Sequence, residues 1–250
     1  MSSYIGLHAD FYDVFYKEKD YKQESEFIHS LISENNKGGM MLELACGTGN
    51  HSFHFEKLQY KITASDYSPD MIARAKAKAA LKNSENKFEV ADMTALPFED
   101  TSFDTVICLF DSIGYVQTNS LVSKAISEAY RVLKPGGQFI VEFWHAGAMI
   151  KDYDHTRVKR FTCKGQELTR ISETTMDIQR QTCDVKYTIY IKELGNISVL
   201  TETQTNRFFL CQEMKQFLSQ EGFSEIEFFD GFSVNKVNTA TWHVVAQCTK

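Results

Sequence analysis

Two carboxylates and a glycine loop form the most informative pattern in this chain. The apolar run Met40–Leu44 contains Glu43 and is followed by Gly-Thr-Gly at residues 47–49. Only small residues let a backbone approach a ligand closely, and a helix that begins there directs free N–H groups toward it. The next strand-like segment ends in Asp66. A glycine loop after one strand and an acid after the next are typical of a nucleoside cofactor site.

The glycine loop alone does not identify the cofactor, because such loops serve NAD, FAD and S-adenosylmethionine, and many are plain turns. Strand-like and helix-like segments alternate from Met40 to Trp144, which predicts right-handed βαβ crossovers and a parallel sheet. A third strand precedes Asp92, and a fourth spans residues 103–109. Residues 133–141 contain a helix end, a Pro-Gly-Gly turn and a fifth strand.

In order and spacing, these five segments resemble the class I S-adenosylmethionine-dependent methyltransferases. The resemblance implies an α/β fold: a Rossmann-like seven-stranded methyltransferase sheet with a C-terminal antiparallel hairpin and an inserted β-rich substrate cap. It also implies S-adenosyl-L-methionine as the cofactor and S-adenosyl-L-homocysteine as the product. The family's first loop glycine is Ala45 here, a substitution that is tolerated if this residue keeps a negative φ.

The same resemblance assigns roles to the residues of the loop and the strand ends. Asp66 is expected to accept hydrogen bonds from the ribose hydroxyls, Asp92 from the adenine amino group, and Glu43 to orient the loop or the methionyl end. Strand-end acids are also common as helix caps, so the set carries more weight than any one member. The remaining expected cofactor contacts are Tyr16, Ala45, Gly47, Gly49, Tyr67, Met71, Met93 and Leu109.

A second resemblance concerns the N-terminal segment H-A-D-F-Y-D-V-F-Y at residues 8–16. It is similar to the start of bacterial amino-sugar N-methyltransferases, which methylate the amine of a dTDP-linked amino sugar. Residues 110–115 and 141–144 are also similar to their counterparts. The resemblance places Tyr16 beside the sulfonium methyl as a catalytic residue. Ring packing within an N-terminal helix is the alternative role for Tyr12, Phe15 and Tyr16. Tyr12 is otherwise a substrate-binding candidate.

Further acceptor-site candidates follow from position and charge. Tyr115 and Trp144 come at the C-terminal ends of strands, where open parallel sheets bind ligands. His145 follows directly and is the best-placed candidate base, although an isolated histidine is often structural. Arg170 and Arg207 lie in a locally basic region, and arginine forks suit diphosphates.

The chain divides into three predicted parts: an N-terminal helical lid at 1–38, a cofactor-binding core at 39–147 and 208–250, and an antiparallel β insertion at 148–207. Residues 157–207 are rich in Thr, Ile, Val and Tyr and predict three or four antiparallel strands. Helices are expected over residues 21–35, 71–81, 118–133 and 211–220. The closing strand pair is expected over residues 226–229 and 242–248.

Composition narrows the class of protein further. The 250 residues carry a net charge of -6, which argues against a general nucleic-acid partner. No apolar stretch approaches membrane-spanning length, no signal peptide pattern is present, and no His/Cys cluster predicts a metal. The six scattered cysteines suit reduced thiols in a cytoplasmic protein. The sequence is compatible with a homodimer and does not decide the oligomeric state.

The sequence thus favours a methyltransferase that acts on a small molecule, with N-methylation of a nucleotide-linked amino sugar as the leading hypothesis. O-methylation of a sugar or another small metabolite is the alternative within the same class. A non-catalytic binding protein that kept the fold is the alternative outside it. An RNA methyltransferase is disfavoured by the acidic balance and by the absence of a separate basic domain.

Overall fold

The structure is a computed structural model that describes residues 7–250, with side chains from Ala9 onward. The first six residues of the predicted lid and the side chain of His8 lie outside this range. The helices are α1 Leu7–Phe15, α2 Tyr21–Leu31, α3 Asn50–Lys57, α4 Pro69–Lys82, α5 Asn119–Val132, α6 Ala146–Asp152 and α7 Cys211–Gln220. The strands are β1 Met40–Leu44, β2 Lys61–Asp66, β3 Lys87–Val90, β4 Phe103–Cys108, β5 Leu133–Trp144, β6 Thr156–Cys163, β7 Gln166–Asp177, β8 Thr182–Glu193, β9 Asn196–Arg207, β10 Ser224–Asp230 and β11 His243–Thr249.

A seven-stranded sheet forms the centre of the protein, in the order β10-β11-β5-β4-β1-β2-β3. Strands β1 to β5 run parallel, whereas β11 is antiparallel to both β5 and β10. Alternate residues of β5 enter different apolar cores, with Phe139 on one side and Ile140 on the other. The predicted Rossmann-like sheet with an antiparallel hairpin at its end is confirmed.

Local capping explains where the helices begin and end. Helix α4 begins as the Ser-Pro-Asp sequence at 68–70 predicts: the Ser68 hydroxyl accepts from the Met71 amide, and Pro69 takes the first helical position. Helix α2 ends at Leu31, four residues earlier than predicted. The next residue, Ile32, is already extended, and its amide bonds back to the His29 carbonyl.

A second sheet has four antiparallel strands in the order β6-β7-β8-β9. The turns before β7 and β9 contain Gly165 and Gly195, both with positive φ. The chain leaves and re-enters the core at one point: the Ala146 amide donates to the Phe209 carbonyl, and the Phe209 amide donates to the Trp144 carbonyl, each at 2.9 Å. The predicted β-rich excursion after the fifth strand is therefore present as four strands.

Two further features of the described residues are the length of the helices and the state of the cysteines. Within the described range, none of the helices has both the length and the apolar character needed to cross a bilayer. The six cysteines carry free thiols. Burial raises the pKa of Cys183 to about 12, so this thiol stays protonated at neutral pH.

Candidate active site

A cavity of about 390 Å³ opens where the central sheet meets the N-terminal segment and the antiparallel sheet. It lies at the carboxyl ends of the parallel strands, the usual ligand position in such sheets. Most of the predicted site residues line it: Tyr12, Tyr16, Glu43, Ala45, Gly47, Asp66, Tyr67, Met71, Asp92, Met93, Leu109, Tyr115, Trp144 and Arg170.

Three predicted site residues do not line the cavity. A side chain on Gly49 would meet the Phe88 ring at 2.7 Å, so this glycine serves close packing at the start of α3. His145 precedes α6, and its Nδ1 faces the Thr241 carbonyl at 3.2 Å. Arg207 is buried in an ion pair with Glu213 and also donates to a backbone carbonyl. The structure thus places these three residues outside the lining of the cavity, where their side chains or backbone serve packing and connections.

The glycine loop between β1 and α3 is held by two backbone hydrogen bonds. The Cys46 amide donates to the Ser65 carbonyl, and the Gly49 amide donates to the Cys46 carbonyl, both at 2.9 Å. Ala45 has a φ of +52°, so the expectation of a negative φ was wrong. The loop turns back sharply at the end of β1 and imposes left-handed backbone there even without glycine. Gly47 also has a positive φ, and a side chain on it would enter the space beside Tyr12.

Asp66 lies at the end of β2 with both carboxylate oxygens directed at the loop and at α4. Oδ2 accepts from the Gly47 amide and Oδ1 from the Ser68 amide, each at 2.8 Å. Burial raises the pKa of Asp66, although these two hydrogen bonds oppose the rise. A carboxylate has about four acceptor positions, so two remain for the hydroxyls of a ribose. The neighbouring Tyr67 ring is 48% exposed and offers a flat apolar face.

Asp92 follows β3 and uses one oxygen locally. Its Oδ1 accepts from both the amide and the hydroxyl of Thr94, each at 2.8 Å. Oδ2 is left for a donor such as an amino group on a ligand. Met93, beside it, also lines the cavity and supplies apolar surface.

Glu43 belongs to a buried network at another part of the cavity. It accepts from the Ser52 hydroxyl and lies 3.8 Å from His51 Nδ1. Burial raises the pKa of Glu43, while His51 and Ser52 oppose the rise. The other ring nitrogen, His51 Nε2, lies 2.7 Å from Glu24, which also pairs with Lys19. His51, Glu24 and Lys19 were not predicted, because no motif in the sequence distinguishes them from surface charges.

Helix α1 covers the glycine loop. Asp13 accepts from the Thr48 hydroxyl at 2.6 Å and from Asn50 at 3.0 Å, and it pairs with Lys78 at 3.0 Å. Burial raises the pKa of Asp13, but these bonds and the Lys78 charge outweigh it and lower the pKa. The helix is therefore attached to the loop through an ionised carboxylate.

Tyr12 of α1 and Tyr16, the residue that follows the helix, face the cavity. The Tyr16 ring lies 4.8 Å from that of Tyr12 and 5.0 Å from that of Phe110, which follows β4. These three rings, together with Met71, form one apolar cluster. The arrangement encloses the space between the loop and the end of β4.

Arg170 of β7 brings a positive charge into the cavity. It is 7% exposed, and its Nε and Nη1 have no hydrogen-bond partner among the described residues. Its guanidinium carbon lies 4.8 to 5.9 Å from four aromatic ring centres, those of Phe15, Tyr16, Tyr187 and Phe161. Aromatic faces offset only part of the cost of burying a charge.

His243, which was not predicted, lines the cavity from the start of β11. Its Nδ1 lies 2.8 Å from Oε1 of the buried Glu142 on β5. The other oxygen of Glu142 accepts from the Phe110 amide at 2.5 Å. The two partners are 101 residues apart, so no local pattern could join them.

The donors and acceptors of the cavity fit S-adenosylmethionine. Carboxylates with remaining acceptor positions follow β2 and β3, where a ribose diol and an adenine amino group need them. Because Gly47 has no side chain, a ligand has room to approach the backbone there. Among the described residues no group of three or more His, Cys, Asp or Glu side chains is placed to hold a metal ion.

Known proteins resemble this chain in sequence and in fold. Residues 41–137 match a family model described as a methyltransferase domain. A dTDP-3-amino-3,4,6-trideoxy-alpha-D-glucopyranose N,N-dimethyltransferase of Streptomyces venezuelae is 32% identical over 140 residues, 55% of this chain and 57% of that protein. A dTDP-3-amino-3,6-dideoxy-alpha-D-glucopyranose N,N-dimethyltransferase of Streptomyces fradiae is 25% identical, with 92% of this chain and 88% of that protein covered. The activity in each of these two names is that of the named relative.

Structural similarity extends over nearly the full chain. A crystal structure of an S-adenosylmethionine-dependent methyltransferase from Clostridium acetobutylicum aligns with a TM-score of 0.82 and 19% identity, over 97% of each chain. The sequence matches are shorter, and the chain spans about half the length of several curated relatives that it matches. The family match, the strand order and the acids agree with one another: Glu43 near the end of β1, Asp66 at the end of β2 and Asp92 after β3. Over residues 41–137 the chain thus matches a methyltransferase domain, and its fold is that of a solved S-adenosylmethionine-dependent methyltransferase.

Proposed function

We propose that this protein is an S-adenosylmethionine-dependent N-methyltransferase whose acceptor is the amine of a nucleotide-linked amino sugar. The bound cofactor supplies a methyl group on a positively charged sulfur, which a nucleophile can take up. The chain's task is then to align two reactants and to exclude water, because proximity and orientation supply much of the rate.

The proposed cofactor contacts follow from the geometry of the cavity. Asp66 holds the ribose hydroxyls, Asp92 accepts the adenine amino group, and Glu43 with its network lies at the methionyl end. The loop backbone at Ala45 and Gly47 supports the ligand. Apolar contacts come from Tyr67, Met71, Met93 and Leu109.

Residues 1–38 act as a lid in this proposal, residues 39–147 and 208–250 as the core, and residues 148–207 as a cap over the acceptor. The support is that α1 is bound to the glycine loop through Asp13, while Arg170 of the antiparallel sheet shares one cavity with the core. Tyr16, between these parts, orients the reacting groups. Tyr12, Tyr115 and Trp144 complete the wall on the acceptor side.

The observation that carries the acceptor class is the buried guanidinium of Arg170. Two of its nitrogens lack partners among the described residues, and an unpaired buried charge is costly. An anionic group on the acceptor removes that cost, and a guanidinium binds phosphate oxygens with paired hydrogen bonds. Lys159 and Arg157 of β6 also line the cavity, Arg157 in an ion pair with Asp154, which is another lining residue. An acceptor with a diphosphate suits this series of cations, and the names of the two Streptomyces relatives support the same class.

A hydroxyl acceptor is the second candidate function. The specific observation in its favour is His243, which lines the cavity beside the buried Glu142. A hydroxyl stays protonated at neutral pH and needs a base, whereas an amine needs only to lose its extra proton. The same pair can serve either acceptor, so the choice is experimental.

Mass-spectrometric turnover with matched acceptors tests the proposal. The panel contains dTDP-linked 3-amino sugars, the same sugars with a hydroxyl in place of the amine, and the free amino sugars without the nucleotide. We expect methylation of the nucleotide-linked amines and at least tenfold weaker turnover of the free sugars. Methylation of the hydroxyl analogues alone would reject the amine. Equal turnover with and without the nucleotide would reject Arg170 as the anion contact.

A further inference from the structure

Glu142 and His243 form a hydrogen-bonded pair that is held by the pairing of β5 with β11 and by a backbone amide. Glu142 is paired with Val245 across β5 and β11, and residues two apart on a strand share a face, so His243 lies on the same face as the carboxylate. Oε1 of Glu142 lies 2.8 Å from His243 Nδ1, and Oε2 accepts from the Phe110 amide. The carboxylate is fully buried, whereas 42% of the histidine side chain is exposed. One ring nitrogen is therefore held and the ring itself remains accessible.

The protonation of the ring follows from that of its partner. Burial acts to raise the pKa of Glu142, but the hydrogen bond and the charge of His243, the Lys19 charge and the Phe110 amide outweigh it and lower the pKa. Glu142 is thus ionised at neutral pH and can only accept hydrogen bonds. Nδ1 of His243 must then carry the hydrogen, which leaves Nε2 of the neutral ring as a proton acceptor.

The charged groups around the pair come from several elements. Glu142 belongs to β5. Lys19, which follows α1, has its ammonium 4.4 Å from the Phe110 ring centre and pairs with Glu24 of α2. Asp230 ends the neighbouring strand β10, where its carboxylate accepts from Asn238. Lys19 is paired with Glu24, and Glu142 is the charged group in contact with the ring.

We propose that His243, positioned by Glu142, accepts the proton that the acceptor ammonium must lose before it can react. This inference rests on the proposed function. In the step, one N–H bond of the ammonium breaks and its electron pair stays on nitrogen. The proton bonds to Nε2, and the imidazolium that forms is stabilised by the Glu142 carboxylate. The proton then leaves to solvent from the exposed side of the ring, and the free amine is ready for transfer.

Single-turnover methyl transfer across pH tests this assignment in three variants. His243→Gln should lower the rate about 100-fold below the pKa of the bound amine, within the usual range for a general base. The loss should shrink as the pH rises, because the amine is then already deprotonated. Glu142→Gln should show the same trend with a smaller loss. His145 lies nearby but outside the cavity, so the rate of the His145→Gln variant should fall less than tenfold at every pH.

Two outcomes of that experiment would overturn the proposal: a pH-independent loss in His243→Gln, or a loss in His145→Gln that equals it. Affinity for S-adenosylhomocysteine, measured by calorimetry, should stay within threefold of the wild type in His243→Gln. A larger change would show that the substitution disturbs the site and would also count against the assignment.

Nitrogen NMR of the histidine rings separates this inference from the proposed function. In the substrate-free wild type, neutral His243 must be the tautomer with the hydrogen on Nδ1. An Nε2–H tautomer would overturn the proton-acceptor role whatever the substrate is. If the wild type methylates only hydroxyl analogues, the proposed function fails, and this tautomer result still decides the role of His243.

Discussion

Individual acids in this site are distinguished by how many of their acceptor positions the protein already uses. Asp66 accepts two backbone hydrogen bonds and is partly buried, so it is held in one orientation before any ligand arrives. Asp92 is held by Thr94 in a similar way. Preorganised acceptors bind a diol without a further ordering cost.

Replacing Asp66 with Ala should weaken S-adenosylhomocysteine binding by about 2–4 kcal/mol, a loss of tens to hundreds-fold. The physical reason is the loss of two charge-assisted hydrogen bonds to the ribose. Calorimetry measures the affinity. Glu89→Ala, an exposed acid on the neighbouring strand β3, is the matched control and should bind normally. Unchanged affinity in Asp66→Ala would remove this residue from the site.

Tyr16→Phe tests whether the hydroxyl or only the ring of this residue matters. The ring packs against Tyr12 and Phe110, and phenylalanine preserves that packing. We expect kcat to fall about tenfold or more with little change in the free energy of unfolding, because orientation of the reactants is lost. Tyr190→Phe, on the exposed face of β8, should keep wild-type kinetics. A wild-type kcat in Tyr16→Phe would assign the residue to packing alone.

Helix α1 is bound to the glycine loop, so in the proposed function it lies next to the cofactor. Two acids attach it to α4: Asp13, which also contacts Thr48 and Asn50, and Asp10, which pairs with Arg74. The second pair is more than one-third exposed on both sides. Exposed ion pairs contribute about 0–1 kcal/mol, so the two acids should differ in effect.

Asp13→Ala should speed S-adenosylhomocysteine release about tenfold, because the helix that covers the loop loses its bonds to Thr48, Asn50 and Lys78. Stopped-flow displacement measures the rate. Asp10→Ala is the matched control and should change it by less than threefold. Equal release rates in the wild type and Asp13→Ala would show that α1 does not retain the ligand.

Across the protein, one buried acid connects the central sheet to the antiparallel sheet. Asp111 follows β4, accepts from the Trp144 amide at 2.7 Å and accepts from Asn206 of β9 at 2.7 Å. Burial raises its pKa well above the usual range, against both hydrogen bonds. The carboxyl group thus links three segments that are distant in sequence.

Asp111→Asn should lower the free energy of unfolding by about 1–3 kcal/mol. The new amide nitrogen replaces one carboxylate oxygen and then faces an N–H donor of Trp144 or Asn206 instead of accepting from it. Asparagine tolerates the φ of +54° at this position, so the backbone is not the cause. Urea unfolding checks this. Asp184→Asn, whose carboxylate accepts from Thr205 at an exposed site, should cost less than 0.5 kcal/mol. A fully stable Asp111→Asn would contradict the link.

The sequence predicted those parts of the site that short-range patterns encode. Gly47, Asp66 and Asp92 each follow a strand within a few residues, so alternation of strands and helices was enough to place them together. The pair of Glu142 and His243 depends on β11 inserting beside β5, which no local pattern reveals. His145 seemed better placed only because it follows β5 directly.

Backbone conformation was less predictable than residue identity. At Ala45 the residue type suggested a negative φ, but the hydrogen bonds of the loop decide its conformation. Arg207 and Arg170 looked alike in sequence, since both lie in the basic region. The partners differ: Glu213 pairs with the Arg207 guanidinium, whereas Arg170 has no ion pair among the described residues and its Nε and Nη1 have no hydrogen-bond partner there. Burial with or without a partner is a property of the tertiary structure.

The junction at Trp144 and Phe209 has a consequence for how such a protein diversifies. The four-stranded excursion begins next to Trp144 and ends next to Phe209, and these two residues are joined by a backbone hydrogen bond. The ends of the surrounding chain therefore stay in register when the excursion is removed or replaced. Insertions of that kind place few demands on the host, since their ends need no extra span. In the proposed function this segment covers the acceptor, so its exchange would change acceptor preference while strands β1 to β3 keep their sequence.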